Sequence, residues 1–280
     1  MIAPTSFLKY RNFLFLKASA ALLTSSVLAY ALYDPPGGPS GGSWLGYVLG
    51  GLSTLLILWL MWLGVRKRTY QTSTTSLSGW LSGHVYLGLT LLVLVPLHAA
   101  FQFGWNVHTF AYLLMSVVIL SGMVGVYFYV RVPPQMTRNR PGVKLEGLMK
   151  EVADVDAECR LQAEEIPDVF ASAVSSAIEE TRIGGSLYTQ LSGRDKNCAT
   201  AAAVGELQRQ LRRASLDASA RGSILKLVQL LSLKQAKLVR IRRDIRYKAL
   251  LDLWLIFHVP VSFATLAAVL IHIFVVFYYW

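Results

Sequence analysis

The sequence predicts an all-α fold, a polytopic membrane helix bundle of five spans with a helical cytoplasmic insert between spans four and five. Composition gives the first reason, because 54% of the residues are hydrophobic and only 15% are charged, a profile typical of polytopic membrane proteins. The second reason is segment length: five apolar segments reach the roughly 20 residues that a helix needs to cross a bilayer. The third is that the basic residues fall on one side of the predicted spans: they precede or open span one, follow span two, or lie between spans four and five.

The five apolar segments divide the chain into three regions. We expect spanning helices at 13–33, 44–64, 79–103, 109–130 and 249–280. The predicted regions are the membrane part with spans one to four (1–130), the cytoplasmic insert (131–248) and the fifth span (249–280).

The distribution of Lys and Arg predicts how the chain is oriented. The 27 basic residues give a formal net charge of +11, yet the loops 34–43 and 104–108 contain none of them. The positive-inside rule therefore predicts a multi-pass protein of the inner (cytoplasmic) membrane of a bacterium, with its N-terminus inside and its C-terminus outside. A basic cytoplasmic face that meets anionic membrane lipid accounts for the charge, so no nucleic-acid partner is expected.

The insert has the composition of a small helical domain. Helical periodicity in Leu, Ala, Glu, Gln, Lys and Arg is found in 144–165, 203–216 and 221–248,. Pro133 and Pro134 are expected to end the fourth span, and the last insert helix is expected to continue directly into span five. Cys159 and Cys198 are too few for an iron–sulfur cluster, which usually takes four cysteines, so we interpret them as reduced structural thiols.

Two histidine pairs with the same spacing occur in spans three and five. His84 and His98 are fourteen residues apart, as are His258 and His272. A helix turns about 100° per residue, so fourteen residues return nearly to the same face after about 21 Å. The topology makes the two spans parallel, so His84 and His258 should share a level near the cytoplasmic side. His98 and His272 should share a level near the external side.

Two imidazoles at one level can be the two axial ligands of one haem iron. The pattern therefore predicts two haem b groups. The predicted cofactor and iron ligands, level by level, are His84 with His258 and His98 with His272. The alternative is that each histidine only hydrogen-bonds between helices. Zinc fits poorly, because two histidines without Cys, Asp or Glu nearby do not complete a tetrahedral site.

A coordinated histidine still needs an acceptor for its second ring nitrogen. We expect backbone carbonyls to accept from these N–H groups more readily than the hydroxyls of Thr90, Ser262 and Thr265. Pro96 and Pro260 each lack the N–H that would bond a carbonyl one turn earlier, so either proline could free an acceptor.

Small residues occur at two further places in the spans. Gly46 and Gly50 in span two, and Ser121 and Gly125 in span four, are four residues apart. Such spacing lets helix backbones approach closely, and it could equally make room for a flat cofactor. The spacing leaves both interpretations open.

These histidine pairs give the chain a resemblance to a known superfamily. Two parallel spans that each carry a fourteen-spaced pair resemble the di-haem transmembrane cytochromes b. Two branches are similar: the cytochrome b of quinol:cytochrome c oxidoreductases, and the membrane core of ferric reductases and NADPH oxidases. The resemblance covers the membrane part only. Unlike the ferric reductases, the chain has no dinucleotide motif, since residues 184–193 contain no GxGxxG,.

The resemblance implies an electron-transfer membrane subunit of an oxidoreductase complex, as in a respiratory chain. Its partners would be a cytoplasmic flavin or iron–sulfur redox subunit, with a quinone or an external cytochrome c on the other side. The insert would be either a docking surface or a structural cap. Asp252 could take a proton in quinone chemistry or pair with Arg246 or Lys248. The alternative function is a transporter or channel with a histidine proton relay, which the few polar residues of spans three and five disfavour.

His108 is the one histidine outside the pairs. The loops predicted to be external contain no Lys or Arg, and haem propionates need donors at a membrane surface. His108 begins span four, where a helix N-terminus favours an anion. We therefore expect His108 to contact a propionate of the external haem, the alternative being a helix-capping or interfacial histidine.

Overall fold

The computed structural model describes residues 7–68, 77–139, 142–164, 166–193, 195, 197–213 and 218–278, and these contain helices and turns but no strand. The helices are α1 (Leu14–Leu32), α2 (Trp44–Arg68), α3 (Leu77–His98), α4 (Val107–Asn139), α5 (Leu145–Ala163), α6 (Asp168–Glu179), α7 (Leu187–Ser192), α8 (Ala199–Arg213) and α9 (Ala218–Tyr278). The predicted all-α fold is confirmed.

Five of these helices are long and apolar enough to cross a membrane, namely α1, α2, α3, α4 and α9. The predicted multi-pass bundle with a helical insert before the last span is therefore confirmed. The last insert helix continues into the fifth span without a break, as predicted, because both belong to α9. Residues 279 and 280, which were predicted to complete that span, lie outside the described residues.

The chain divides into two compact units. The membrane unit comprises Met1–Arg131 with Trp254–Trp280, and the insert unit comprises Val132–Leu253. The expectation from the sequence placed these boundaries after residues 130 and 248. Both α4 and α9 therefore contribute residues to each unit.

The fourth span does not end at its prolines, and that prediction is wrong. α4 continues through Pro133 and Pro134 to Asn139. A proline removes one helical hydrogen bond and disturbs the preceding turn, but its φ angle is compatible with a helix. The hydroxyl of Thr137 donates to the carbonyl of Pro133 at 3.0 Å, which adds a side-chain hydrogen bond to this turn.

The third span ends at His98, five residues before the predicted boundary. Ala100 and Phe101 adopt positive φ angles of 49° and 58°, which stop the helix. The N–H of Phe101 donates to the carbonyl of Pro96 at 2.9 Å, a bond that satisfies a carbonyl of the last turn in the way of a Schellman motif. His98 therefore lies in a fixed last turn.

The core of the membrane unit forms around α3, which packs against α1 and α2. One cluster joins Leu45 and Leu49 of α2 to Leu94 and Leu97 of α3. Large apolar side chains cover the outward surface of the spans, for example Leu55, Leu113 and Phe263. Such a surface is suited to lipid, in which backbone polar groups must be satisfied within each helix.

The insert unit has its own apolar core. Its buried residues come from α5, α6, α8 and α9, with the linker residue Ile166: Val155, Cys159, Ile166, Phe170, Val174, Ala177, Ala203, Val204, Leu207, Ile224, Leu227 and Leu231. Burial, with a smaller contribution from Asp156, raises the pKa of the Cys159 thiol to about 11. The thiol therefore stays protonated at neutral pH and acts as a small apolar side chain.

A buried ion pair joins α9 to α5 and α6. The ammonium of Lys234 is 1% exposed and lies 2.6 Å from a carboxylate oxygen of Asp156, and it donates to the carbonyl of Ala177 at 2.7 Å. Lys226, two turns earlier on α9, pairs with Glu158 at 3.7 Å, but both side chains are about half exposed. Burial makes removal of one partner far more costly at the first pair.

We expect Lys234→Ala to destabilise the insert unit by about 3–5 kcal/mol, because it leaves the Asp156 carboxylate without its ammonium partner. Lys226→Ala is the matched control and should cost about 0–1 kcal/mol, because solvent screens an exposed pair. Thermal unfolding and limited proteolysis of the full chain in detergent would measure both changes. Equal stability of the two variants would contradict the assignment.

Candidate functional site

The paired histidines of α3 and α9 meet at two levels. At the His98 level, the ring centroids of His98 and His272 are 6.0 Å apart and the ring planes are at 81°. At the His84 level, His84 and His258 lie close enough to interact electrostatically. Because each histidine of α3 has its predicted α9 counterpart as a neighbour, α3 and α9 run parallel, and the role of the four histidines as ligands stays a prediction.

Helix α2 holds both rings of α3 through its backbone. The Nδ1 of His84 lies 3.1 Å from the carbonyl oxygen of Leu60, and the Nδ1 of His98 lies 2.7 Å from that of Gly46. Leu60 and Gly46 are fourteen residues apart, like the histidines, because α2 runs antiparallel to α3. A carbonyl can only accept, so each Nδ1 carries the proton and each Nε2 keeps its lone pair.

Helix α4 holds the rings of α9 through side chains instead. The Nδ1 of His258 lies 2.7 Å from the hydroxyl of Ser121, which donates its own proton to the carbonyl of Val118 at 2.8 Å. Ser121 must therefore accept from His258, which fixes the same tautomer as in the rings of α3. At the other level, the Nδ1 of His272 contacts the Nδ1 of His108.

The structure thus places His108 beside a paired histidine. Its ring centroid lies 4.4 Å from that of His272, with the two planes nearly perpendicular. One nitrogen of the Nδ1 pair donates and the other accepts. If His272 has the tautomer of the other three rings, His108 accepts with Nδ1 and keeps an N–H on Nε2. The Nε2–H of His108 does not take part in the contact with His272. The expected contact of His108 with a haem propionate stays a prediction.

The small residues of the spans bring helices close to the histidines. A Cβ on Gly50 would lie 2.7 Å from Cε1 and 2.8 Å from Nδ1 of His98. A Cβ on Gly125 would lie 2.1 Å from the Trp254 ring. These positions are filled by protein side chains, which favours close approach over room for a flat cofactor at Gly50 and Gly125.

Trp254 restrains the ring of His258. The indole stacks on that imidazole, with centroids 5.2 Å apart and planes at 28°. Its Nε1–H donates to the carbonyl of Ser121 at 2.8 Å. Ser121 therefore contacts both rings, one through its hydroxyl and one through its carbonyl.

The space between the two levels is apolar. A buried cluster drawn from four helices lies there: Ile57, Leu91, Ala111, Met115, Ala268 and Val269. The nearby hydroxyls of Thr90, Ser262 and Thr265 donate to carbonyls of their own helices. Those hydroxyls are thereby engaged within single helices and do not link one level to the other, so this region offers little support for a proton relay.

Pro96 leaves the carbonyl of Leu92 without its usual helical N–H donor, but the donor that takes its place is not a histidine ring. The hydroxyl of Tyr112 donates to the carbonyl of Leu92 at 3.3 Å, and this bond joins α4 to α3. The expectation of backbone acceptors is therefore right for His84 and His98. It is wrong for His258, which bonds a hydroxyl, and for His272, which contacts the ring of His108.

The two rings of the His98 level lie at a separation that leaves room for one metal ion. An imidazole nitrogen binds a metal at about 2 Å, and the ring centroids of His98 and His272 are 6.0 Å apart. Among the described residues, no group of three or more His, Cys, Asp or Glu side chains could hold a metal ion. Haem needs only two, because the porphyrin supplies the other four ligands.

Asp252 belongs to the insert unit. It is exposed and lines a pocket of about 500 Å³ together with Lys144, Lys248 and Asp244. Lys248 lines the same pocket, and the expected ion pair of Asp252 with Arg246 or Lys248 stays a prediction.

Sequence reasoning missed the groups that hold the rings. Ser121 was noted only as a small residue, and its position thirteen residues after His108 puts the two about 140° apart around the helix axis, so the helical period gave no signal for it,. Trp254 does have a signal, since it lies one turn before His258. The carbonyls of Gly46 and Leu60 leave no signal, because any residue supplies a carbonyl. Comparison with protein-family models, curated proteins and solved structures finds no match to this chain.

Proposed function

We propose that the chain is a b-type di-haem cytochrome, the electron-transfer membrane subunit of an oxidoreductase complex. One observation carries the proposal: four intramembrane imidazoles form two levels, and a neighbouring helix occupies the Nδ1 of each ring. The Nε2 atoms are left for metal ligation, the arrangement that ligating histidines usually have. Intramembrane ionisable residues are costly, so four with matched partners favour a function over chance.

The residues that would hold the haems are His84 with His258, and His98 with His272. When bound, haem b supplies one-electron oxidation and reduction at its iron. The protein contributes the ligands, their fixed tautomers and an apolar surrounding. The two levels are fourteen residues apart on each helix, about 21 Å along the axis, which is a large part of the roughly 30 Å of hydrocarbon. Ligands at these two depths support electron transfer across the membrane.

The orientation and partners of this cytochrome follow from charge and from the insert. By the positive-inside rule, the N-terminus and the insert face the cytoplasm of a bacterium and the His98 level faces outward. The insert unit has its own buried core, so it is a folded unit on which a flavin or iron–sulfur subunit would dock. A quinone or an external cytochrome c would exchange electrons at the other side, with Asp252 a candidate proton acceptor if a quinone reacts near the insert.

The proposal predicts two low-spin haems per chain. His84→Ala or His258→Ala should remove the haem of the His84 level, and His98→Ala or His272→Ala that of the His98 level. The matched variant His108→Ala should keep both, because His108 is not a ligand. A pyridine haemochrome assay and reduced-minus-oxidised spectra of purified protein measure the content. An intact chain that binds one haem or none would refute the proposal.

Gly50 offers a test in which none of the proposed ligand residues is substituted. In Gly50→Ala, the new methyl group would displace the His98 ring and its bond to the Gly46 carbonyl. Loss of such an outer partner typically costs about 10–100-fold in metal affinity, so the haem of the His98 level should be lost selectively on dilution. Gly51→Ala is the control, because nothing lies within 4 Å of a Cβ there. Identical haem retention by the two variants would contradict this geometry.

A further inference from the structure

Helix α4 provides two chemically different partners for the histidines of α9. His108 contacts the Nδ1 of His272, and Ser121 contacts the Nδ1 of His258 at 2.7 Å. Each level therefore has one partner from α4. Helix α2, in contrast, provides a backbone carbonyl at both levels. The two levels therefore differ mainly in the group on α4 that contacts the histidine Nδ1.

The two α4 partners differ in strength as acceptors. A serine hydroxyl is a weak base, and that of Ser121 already donates to Val118. An imidazole nitrogen is a far stronger base, so His108 draws the Nδ1 proton of His272 more strongly. A stronger acceptor on the second nitrogen raises the basicity of a ligating imidazole. A more basic ligand stabilises ferric over ferrous iron, which lowers the reduction potential.

Two other features act in the same direction. The α2 carbonyl lies closer at the His98 level, 2.7 Å for Gly46 against 3.1 Å for Leu60. Arg66 lies on α2 about two turns beyond Leu60, on the side of the His84 level, where a cation favours the reduced state. The loops 34–43 and 104–108, on the side of the His98 level, contain no Lys or Arg.

We propose that His108 and Ser121 are positioning residues that make the ligands of the two levels unequal donors, so that the haem of the His98 level has the lower midpoint potential. The inference rests on the proposed function, because it needs both haems. It concerns the order of the two potentials and the residues that set it.

The test is a potentiometric titration of the full chain in detergent at one fixed pH, followed by absorption and by electron paramagnetic resonance. The wild type should show two one-electron waves, and His98→Ala should lose the lower one. His108→Leu removes the acceptor and should raise the midpoint potential of the lower wave by at least about 59 mV. For one electron this is a tenfold change in the equilibrium constant. The upper wave should stay in place.

Two further variants separate this effect from a general disturbance of α4. Ser121→Ala should raise the upper wave by a smaller amount and leave the lower one. Ser116→Ala is its matched control, because the Ser116 hydroxyl donates only to the carbonyl of Tyr112 in its own helix, and it should move neither wave. If His108→Leu loses the haem, His108→Gln decides, since its amide oxygen still accepts and should give a smaller rise than tenfold.

The outcomes distinguish the two proposals. A wild-type chain without two haems would overturn the proposed function and this inference with it. Two haems with the lower wave lost in His84→Ala instead of His98→Ala would overturn the inference alone. So would a His108 variant that moves both waves equally or neither.

Discussion

The bond from each histidine Nδ1 to a neighbouring antiparallel helix is the constraint on which the membrane unit depends. An imidazole in an apolar interior needs a partner for its N–H, and the partner also decides which nitrogen keeps its lone pair. On α2 the partners recur after fourteen residues, which returns to nearly the same face of the helix, so the spacing of the histidines matches the register of α2 against α3. The α4 partners are thirteen residues apart, and they reach α9 with side chains of different length instead of through a repeat of the backbone.

The small residues of the spans follow from the same constraint. A carbonyl can reach a ring on the next helix only where the backbones approach closely, as at Gly46, which accepts from His98, and Gly50, which packs on the same ring. On α4, Ser121 is small, which lets the helices approach closely, and its hydroxyl oxygen accepts the hydrogen bond from His258. Apolar packing between the levels then separates the two histidine pairs.

The sequence predicts the parts of this arrangement that depend on side-chain identity and period. Five spans follow from apolar length, and the grouping of His84 with His258 follows from spacing and topology. The end of α3 at His98 depends on positive φ angles at Ala100 and Phe101, which neither residue type signals. The continuation of α4 past Pro133 was missed because a proline weakens a helix without always ending it. The carbonyl acceptors were not predictable by position, since every residue has one.

The two kinds of partner respond differently to mutation. A backbone carbonyl on α2 persists through almost any substitution that keeps the helix, so the rings of α3 are held by groups that sequence change can hardly remove. The rings of α9 are held by Ser121 and His108, and each can be replaced by a stronger or weaker acceptor without changing a paired histidine. In the proposed cytochrome, ligation and its adjustment would therefore be divided between helices. α2 would hold two ligands through its backbone, while α4 is where a single substitution would alter one level and leave the other unchanged.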